Sequence, residues 1–362
     1  MRILRNYILK DFLSALFFSL LSLTLVMMLG NLIKISDMII RKGVSVVDAF
    51  KILSLFIPYI LGFTIPLAIL MGVLLAMGRL VADNELVAIN VSGISLARIL
   101  AVFLTIGIIF SLFLFLINDK IIPYFHYNYR SHVKNIYSKN IAAVIEPGVY
   151  LENFKDTILY VDDIKNNKLK NVFVYEINKE GLSRLTYAKY GEFVVDNNIL
   201  RMRLENGFRD EINPKNTKEF FRLNFKIFFI DIPVENKVKS KVSKKASDMD
   251  IKELKTKIRH LEDKNINPIE FLAELHKRIS FSFSPLIFVI FGFGVSLIVK
   301  HRERSINFGI AVFIAGIYYL LMLLGETLTD YQFVPPIFGM WLPNIVVGAI
   351  GIYLIIKHAH IR

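Results

Sequence analysis

The sequence predicts an α-helical membrane protein: six transmembrane helices in a three-plus-three arrangement, with an inserted all-β domain, a sandwich or jelly roll, between the halves. Three observations predict it. Six stretches hold no Asp, Glu, Lys or Arg: Phe12–Ile33, Ile52–Gly78, Ile99–Asn118, Ile279–Val299, Ser305–Gly325 and Tyr331–Ile356. The shortest has 20 residues, and about 20 helical residues cross a hydrocarbon core about 30 Å thick. Between the third and fourth stretches, Asp119–Arg278 carries 53 of the chain's 75 charges. Hydrophobic residues make up 54% of the 362 and charged ones 21%, against roughly 25% charged in soluble domains.

That composition disfavours an ordinary soluble enzyme, a disordered chain and a collagen-like one. No cysteine is present, so a disulfide framework, thiolate metal sites and thiol nucleophiles are excluded, and no redox compartment is assigned. The net charge of +13 suits either nucleic acid or an anionic membrane surface; the placement of the charges decides between them.

The chain is read in order as follows. Residues 1–118 hold the first three spans, with a short helix at about 84–92 between the second and third. Backbone polar groups in lipid must be paired within the segment, so the spans are helices. The first stretch is too long for a cleaved signal peptide and no Ala-x-Ala-like site follows it, so it is a retained span. Arg2, Arg5, Lys10, Arg79, Arg98, Lys300, Arg302, Arg304, Lys357 and Arg362 fall on one side in short loops and tails. Lys34, Arg41, Lys42 and Lys51 fall on the other. Lys and Arg favour the cytoplasmic face, which places both termini inside and the large domain outside.

Residues 119–246 read as a leading helix and a β domain. Thr157–Val161, Asn171–Ile177, Tyr190–Val195, Ile199–Leu204 and the alternating Phe221–Ile227 are strand patterns. Asn166-Asn167, Asn178–Gly181, Asp196–Asn198 and Glu205-Asn206-Gly207 are turn signals between them. A spacing near ten residues suggests a sandwich or jelly roll, whose edges can accept a partner's strand. Val238–Lys245 is a solvated basic linker; its side of the membrane holds no nucleic acid. Residues 247–278 are connecting helices: Ser247 with Asp250 resembles a capping box, and Asn267-Pro268 with Glu270 starts a second helix. His276-Lys277-Arg278 reads as a snorkelling cationic edge. Residues 279–362 hold the last three spans.

The loop Arg79–Arg98 has its own pattern. Asp83 or Asn84 can cap a helix, Glu85 complements its dipole, and Gly93 is a natural stop. Such a helix either turns the chain round or fits a groove on a cytoplasmic partner. Lys34 with Arg41 and Lys42 at the outer end of the first span are either interfacial anchors or contacts for the phosphates of an anionic amphiphile.

Several chemistries are missing from the sequence. It has no GxxxxGK[ST] phosphate loop, no HExxH, and no metal-ligand spacing among His126, His132, His260, His276, His301, His358 and His360. The spans hold no acid or base, which disfavours ion-coupled transport without eliminating it. Energy for moving a substrate then comes from a separate ATPase docked under Asp83–Gly93.

TIPLAILMGVLLAMGRLVADNELVAINVSGISLARIL (64–100), ELHKRISFSFSPLIFVIFGFGVSL (274–297) and PPIFGMWLPN (335–344) resemble the LptF/LptG permease family of the lipopolysaccharide exporter (YjgP/YjgQ-like). DMIIRKGVS (37–45) and GRLVADNE (78–85) look closer to the F-type subunit than the G-type. The resemblance implies a non-enzymatic inner-membrane permease subunit. It pairs with a sister permease above a cytoplasmic ATPase dimer of LptB type, which binds the ATP-Mg. It extracts lipopolysaccharide and passes it to a periplasmic β-bridge of LptC/LptA type. The chain itself then has no catalytic residue, metal or cofactor. The resemblance further implies ATPase coupling through Arg79, Asp83, Asn84, Glu85, Ser92 and Gly93, lipid phosphate or sugar contacts at Lys34, Arg41 and Lys42, and a lateral gate at spans one and five. Two alternatives stay open: a non-transporting mechanotransmitter worked by an ATPase, and a secondary transporter of hydrophobic solutes.

Overall fold

The computed structural model of the chain describes residues 2–40, 44–139, 148–154, 157–165, 168–177, 183–196, 199–212, 220–232, 243–298 and 304–359. The chain divides into two compact units. One comprises Met1–Gly30, Leu55–Tyr127 and Lys244–Arg362; the other comprises Asn31–Ser54 and Asn128–Ser243.

The helices of the N-terminal part are α1 (Arg2–Ile40), α2 (Val46–Ala82), α3 (Glu85–Val91), α4 (Leu96–Leu116) and α5 (Ile122–Lys139). A π-turn, Ile117–Ile121, joins α4 to α5, so the helical rod does not stop where the charges begin. After the strands come α6 (Ile251–Glu262), α7 (Ile269–Ser282), α8 (Ser284–Ser296), α9 (Arg304–Asp330) and α10 (Pro336–Ala359). Among the described residues five helical rods are long and apolar enough to cross a membrane, and a sixth span arises if the bent pair α7–α8 counts as one.

In the first unit α2 is the axis: 83% of its apolar stretch is buried, against 17% of that of α1. The physical reason is a single stripe on α1. Ile8, Phe12, Leu16, Ser19 and Leu23 recur at helical spacing and are its buried residues. Phe12 packs edge-on against Phe103 of α4 with centroids 5.8 Å apart, and Phe103 lies 6.1 Å from Phe293 of α8.

The stretch expected as the fourth span is a bent pair of helices, α7 and α8. The expected start at Ile279 falls inside α7, and the axis bends by 44° before α8. Pro285 has no N–H to offer the carbonyl of Phe281; the Ser284 hydroxyl donates to that carbonyl instead, at 2.6 Å. Polar side chains gather at the break. Tyr318 donates to Asn344 Oδ1 (2.8 Å), and Asn344 Nδ2 donates to the Ser280 carbonyl (2.7 Å). Asn118 Nδ2 donates to Ser282 Oγ at 3.1 Å. The edge formed by His276-Lys277-Arg278 is also corrected. Lys277 bonds both Glu326 oxygens, at 2.8 and 2.9 Å, and Arg278 is buried against Glu274 (2.8 Å). These cations have internal partners, so none needs to snorkel.

The α6 cap also differs from expectation. Asp250, not Ser247, is the N-cap: it accepts from Glu253 N at 2.8 Å, and Glu253 accepts from Asp250 N at 3.1 Å. Lys120 holds the other Asp250 oxygen at 2.8 Å, and this bond above all keeps the Asp250 carboxyl below its ordinary range. Of the linker Val238–Lys245, residues 238–242 lie outside the described residues.

In the second unit, β1 (Tyr150–Phe154), β2 (Thr157–Lys165), β3 (Lys168–Ile177), β4 (Ser183–Asp196), β5 (Ile199–Ile212) and β6 (Phe220–Ile232) form one antiparallel sheet. Each strand pairs with its neighbour in sequence. The jelly-roll expectation is therefore corrected to an up-and-down meander among the described strands. Short hairpin links favour neighbours, whereas a jelly roll needs long crossovers.

The Glu205-Asn206-Gly207 turn signal is overturned as well: β5 runs straight through it to Ile212. Asn206 and Asn171 adopt φ of 55° and 47°. They share a row with Asp162, Lys189 and Lys226, a row that the strand pairing skips. Across it the inward face changes parity. Leu169 and Val172 are both fully buried, and Phe225 and Phe228 both pack on the same core. The row is a bend line, and Asn, tolerant of the left-handed region, fits it. A Cβ on Gly207 would lie 1.9 Å from the Tyr187 carbonyl oxygen, so no side chain fits there. On the opposite face Tyr150, Tyr160, Phe173, Tyr187 and Phe208 stand opposite one another strand by strand, with centroids 4.8–5.9 Å apart. This unit also holds a small cluster of Val44, Ile52 and Ile136, beside His132, whose Nε2 lies 3.2 Å from Asp48.

Candidate functional site

The short helix expected at 84–92 is present as α3, with seven residues. Its end is a Schellman motif. Ile94 N donates to Ile89 O (3.3 Å), Gly93 N donates to Asn90 O (3.0 Å), and Gly93 has φ of +84°. Ser92 closes the last turn, its hydroxyl donating to Ile89 O at 2.7 Å. The start is less conventional. Asn84 occupies the cap position in left-handed geometry (φ 56°) and its side chain makes no capping bond. Asp83 lies in the exposed turn before it.

Leu86 is the anchor of α3. It is buried in the core that also contains Ile8, Met77, Leu80, Val81 and Ile99. Ile89 and Leu96 pack partly against the same core. The opposite face is open: Val87 and Val91 are 46% and 83% exposed. Two apolar side chains at helical spacing thus face outward on a helix whose two ends are fixed by backbone geometry.

A chain of polar contacts links three helices here. Tyr7 of α1 donates its hydroxyl hydrogen to the Glu85 carboxylate, with oxygen distances of 3.0 and 2.9 Å. Arg79, in the last turn of α2, donates to the same Tyr7 oxygen and pairs with Asp11. Its guanidinium also sits 5.0 Å from the centre of the Tyr7 ring.

Beside this cluster lies an open cavity of about 690 Å³. Its walls are α1 (Asp11, Ser14, Phe18, Ser22), α2 (Met71, Leu75, Arg79) and the start of α9 (Asn307, Phe308), with Asp83 at its rim. A second cavity of about 370 Å³ is lined by Tyr59, Phe63, Phe281 and Tyr319 together with the Lys277–Glu326 pair. Tyr319 also donates to the Phe63 carbonyl (3.1 Å), in the turn of α2 that precedes Pro66.

The residues expected to form sites fare differently. Glu85 and Arg79 meet, though through Tyr7 rather than directly. Ser92 and Gly93 shape the end of α3, and Asn84 shapes its start. Lys34 is exposed on α1, which continues past it to Ile40. Arg41 and Lys42 lie outside the described residues. Tyr7 and Asp11 went unread in the sequence. Their only local signal is an i, i+4 polar pair at the start of an apolar helix; their partners are 72 and 78 positions away for Tyr7. Among the described residues no group of three or more His, Asp or Glu could hold a metal.

Comparison with known proteins adds the following. The family model described as "Lipopolysaccharide export system permease LptF/LptG" matches residues 6–357. The chain is also similar to an uncharacterized protein of Rickettsia prowazekii (strain Madrid E), with 21% identity covering 98% of this chain and 99% of that protein.

Proposed function

This chain belongs to the lipopolysaccharide export system permease family LptF/LptG, and from that premise we propose that it is the permease half that moves the lipid while a separate ATPase supplies the energy. It sits in the inner membrane with both termini cytoplasmic and the β domain in the periplasm. It works beside a sister permease and above an ATPase dimer that binds ATP-Mg. It extracts lipopolysaccharide and hands it to a periplasmic β-bridge.

The observation that carries this reading is α3. Its outward face shows Val87 and Val91, while Leu86 roots it in the bundle core. A rooted helix with an uncovered apolar face suits docking into a groove on another protein. Two features support the lipid side. The first span exposes most of its apolar surface, and an open cavity lies among α1, α2 and α9, the first, second and fifth spans in our numbering. Acyl chains would rest on those walls while Lys34 meets a phosphate near the outer end of α1. Closure of the ATPase pushes α3, narrows the cavity and drives the lipid outward. Such a cycle requires the open state to hold the lipid more tightly than the closed one.

The test is purification of the tagged chain in mild detergent, with identification of the proteins and lipids that come with it. An ATPase, a second permease and lipopolysaccharide should copurify. Glu85→Ala should still insert, yet weaken ATPase retention or the coupling of hydrolysis to lipid release. Copurification of an ATPase without lipopolysaccharide would favour the mechanotransmitter; transport driven by an ion gradient without any ATPase would end the proposal.

A further inference from the structure

We propose that Tyr7 and Asp11 are positioning residues that latch the docking helix α3 to α1, so that a push on α3 reaches α1 directly. This rests on the reading of α3 as the ATPase-docking element.

Few side chains orient α3. The helix has seven residues and one buried side chain, Leu86. It is bounded by Asn84 (φ 56°) and Gly93 (φ +84°), two left-handed joints. Its end is set by the Schellman turn and by the packing of Ile89, whereas at its start Asn84 makes no capping bond and the side-chain tie is Glu85, held by Tyr7.

Tyr7 is suited to a strut. Its ring has only two rotatable bonds, and its hydroxyl both donates and accepts. It therefore bridges a carboxylate and a guanidinium that would otherwise be flexible on long stems. Asp11, one helical turn along α1, takes Arg79 from the other side. Arg79 Nε is buried without a partner among the described residues, so the guanidinium is committed through Nη2 to Tyr7 and Asp11. Two residues one turn apart on α1 thus grip both the end of α2 and the start of α3.

The backbone and the packing of Leu86 and Ile89 connect α3 to the core shared by α2 and α4. The latch adds a polar tie to α1, whose buried residues form a single stripe. Of the helices lining the cavity of about 690 Å³, α1 is the least buried, and Asp11 and Arg79 line that same cavity. A displacement of α3 delivered through Tyr7 would shift α1 against α2 and change the width of the cavity. Exposed ion pairs contribute little to stability, so the latch acts through geometry.

The experiment uses the full chain, alone and in its purified complex. Spin labels at Ile3 and Val91, which are 87% and 83% exposed, report the α1–α3 distance. The wild-type chain should give a narrow distribution. Tyr7→Phe, which keeps the ring and removes only the hydroxyl, and Asp11→Asn should broaden it while leaving thermal unfolding nearly unchanged. In the complex, lipopolysaccharide released per ATP hydrolysed should fall several-fold in both variants, because movement of α3 is then no longer passed to α1. The charge swap Asp11→Arg with Arg79→Asp should recover part of it. Unchanged distances in Tyr7→Phe and Asp11→Asn overturn the latch whatever the complex does. Broadened distances with unchanged release per ATP overturn its coupling role. A wild-type chain that retains no ATPase refutes the function proposed above, and the distance measurement still decides the latch.

Discussion

Asn344 shows what single polar residues do in this bundle. It is 4% exposed on α10, accepts from the Tyr318 hydroxyl and donates to the Ser280 carbonyl. The Ser280 hydroxyl in turn donates to the Met340 carbonyl at 2.6 Å. Three helices, α7, α9 and α10, are tied beside the break in the fourth span. In lipid the alternative to an internal partner is no partner, so such groups are matched. Asn344→Leu removes the acceptor of the Tyr318 hydroxyl hydrogen and a donor to the Ser280 carbonyl. The cost should be about 1–3 kcal/mol by soluble-protein experience and nearer the lower end in a membrane. Thermal unfolding in detergent, followed by Trp341 fluorescence, should show a lowered midpoint. An unchanged midpoint would mean that Tyr318 and Ser280 find other partners.

At the scale of elements, the sheet and α3 show how one residue type serves different ends. Gly93 ends a helix, where a positive φ is needed. Gly207 keeps a strand continuous at a bend, where no side chain fits. The Asn-Gly pair at 206–207 carries the usual hairpin signal, yet the pairing of β4 and β6 on either side of β5 overrides it. On the edge strand β6, Arg222 bonds both oxygens of Asp210 on β5, at 2.7 and 2.8 Å. That pair holds the Asp210 carboxyl below the usual carboxylate range. The folded sheet therefore binds this proton more weakly than the unfolded chain does. The pair's stabilisation is complete above the ordinary carboxylate value of about 4 and disappears as the pH falls through the lowered one. Arg222→Gln should accordingly lower sheet stability at pH 6 and lose that difference at strongly acid pH. Chemical unfolding of the two proteins at both pH values checks this; a gap that does not shrink on acidification would place the role of Arg222 elsewhere, for instance in its position 4.2 Å over Phe208.

For the whole molecule, the dominant fact is an uneven share of burial. Of the helices apolar enough to cross a membrane, α2 is largely enclosed and α1 is largely bare. A helix that apolar needs lipid, a second subunit or a bound amphiphile against it, and membership of the lipopolysaccharide export permease family fits all three. In the function proposed above, Lys34, exposed on α1, meets the lipid's phosphates. Lys34→Asp should reduce photocrosslinking between a probe on α1 and lipopolysaccharide several-fold, without loss of membrane insertion. Crosslinking equal to wild type would remove Lys34 from the lipid path.

Much of this protein could be read from its sequence, because the physics involved is local. Runs of apolar residues long enough to cross a bilayer, the charge-rich insert, Gly93 at a helix stop and the Asn267-Pro268 helix start each depend on neighbours within a few positions. The motifs at 64–100, 274–297 and 335–344 carried the family. Tertiary structure decided what depends on distant partners. Tyr7 meets Glu85 across 78 positions, and Asp250 rather than Ser247 caps α6, with Lys120 arriving from 130 positions away. The Asn-Gly turn signal in β5 became a bend because strands on both sides hold it in register. A side chain's intrinsic preference is worth a fraction of a kcal/mol to about one, and several hydrogen bonds to a neighbouring element outweigh it.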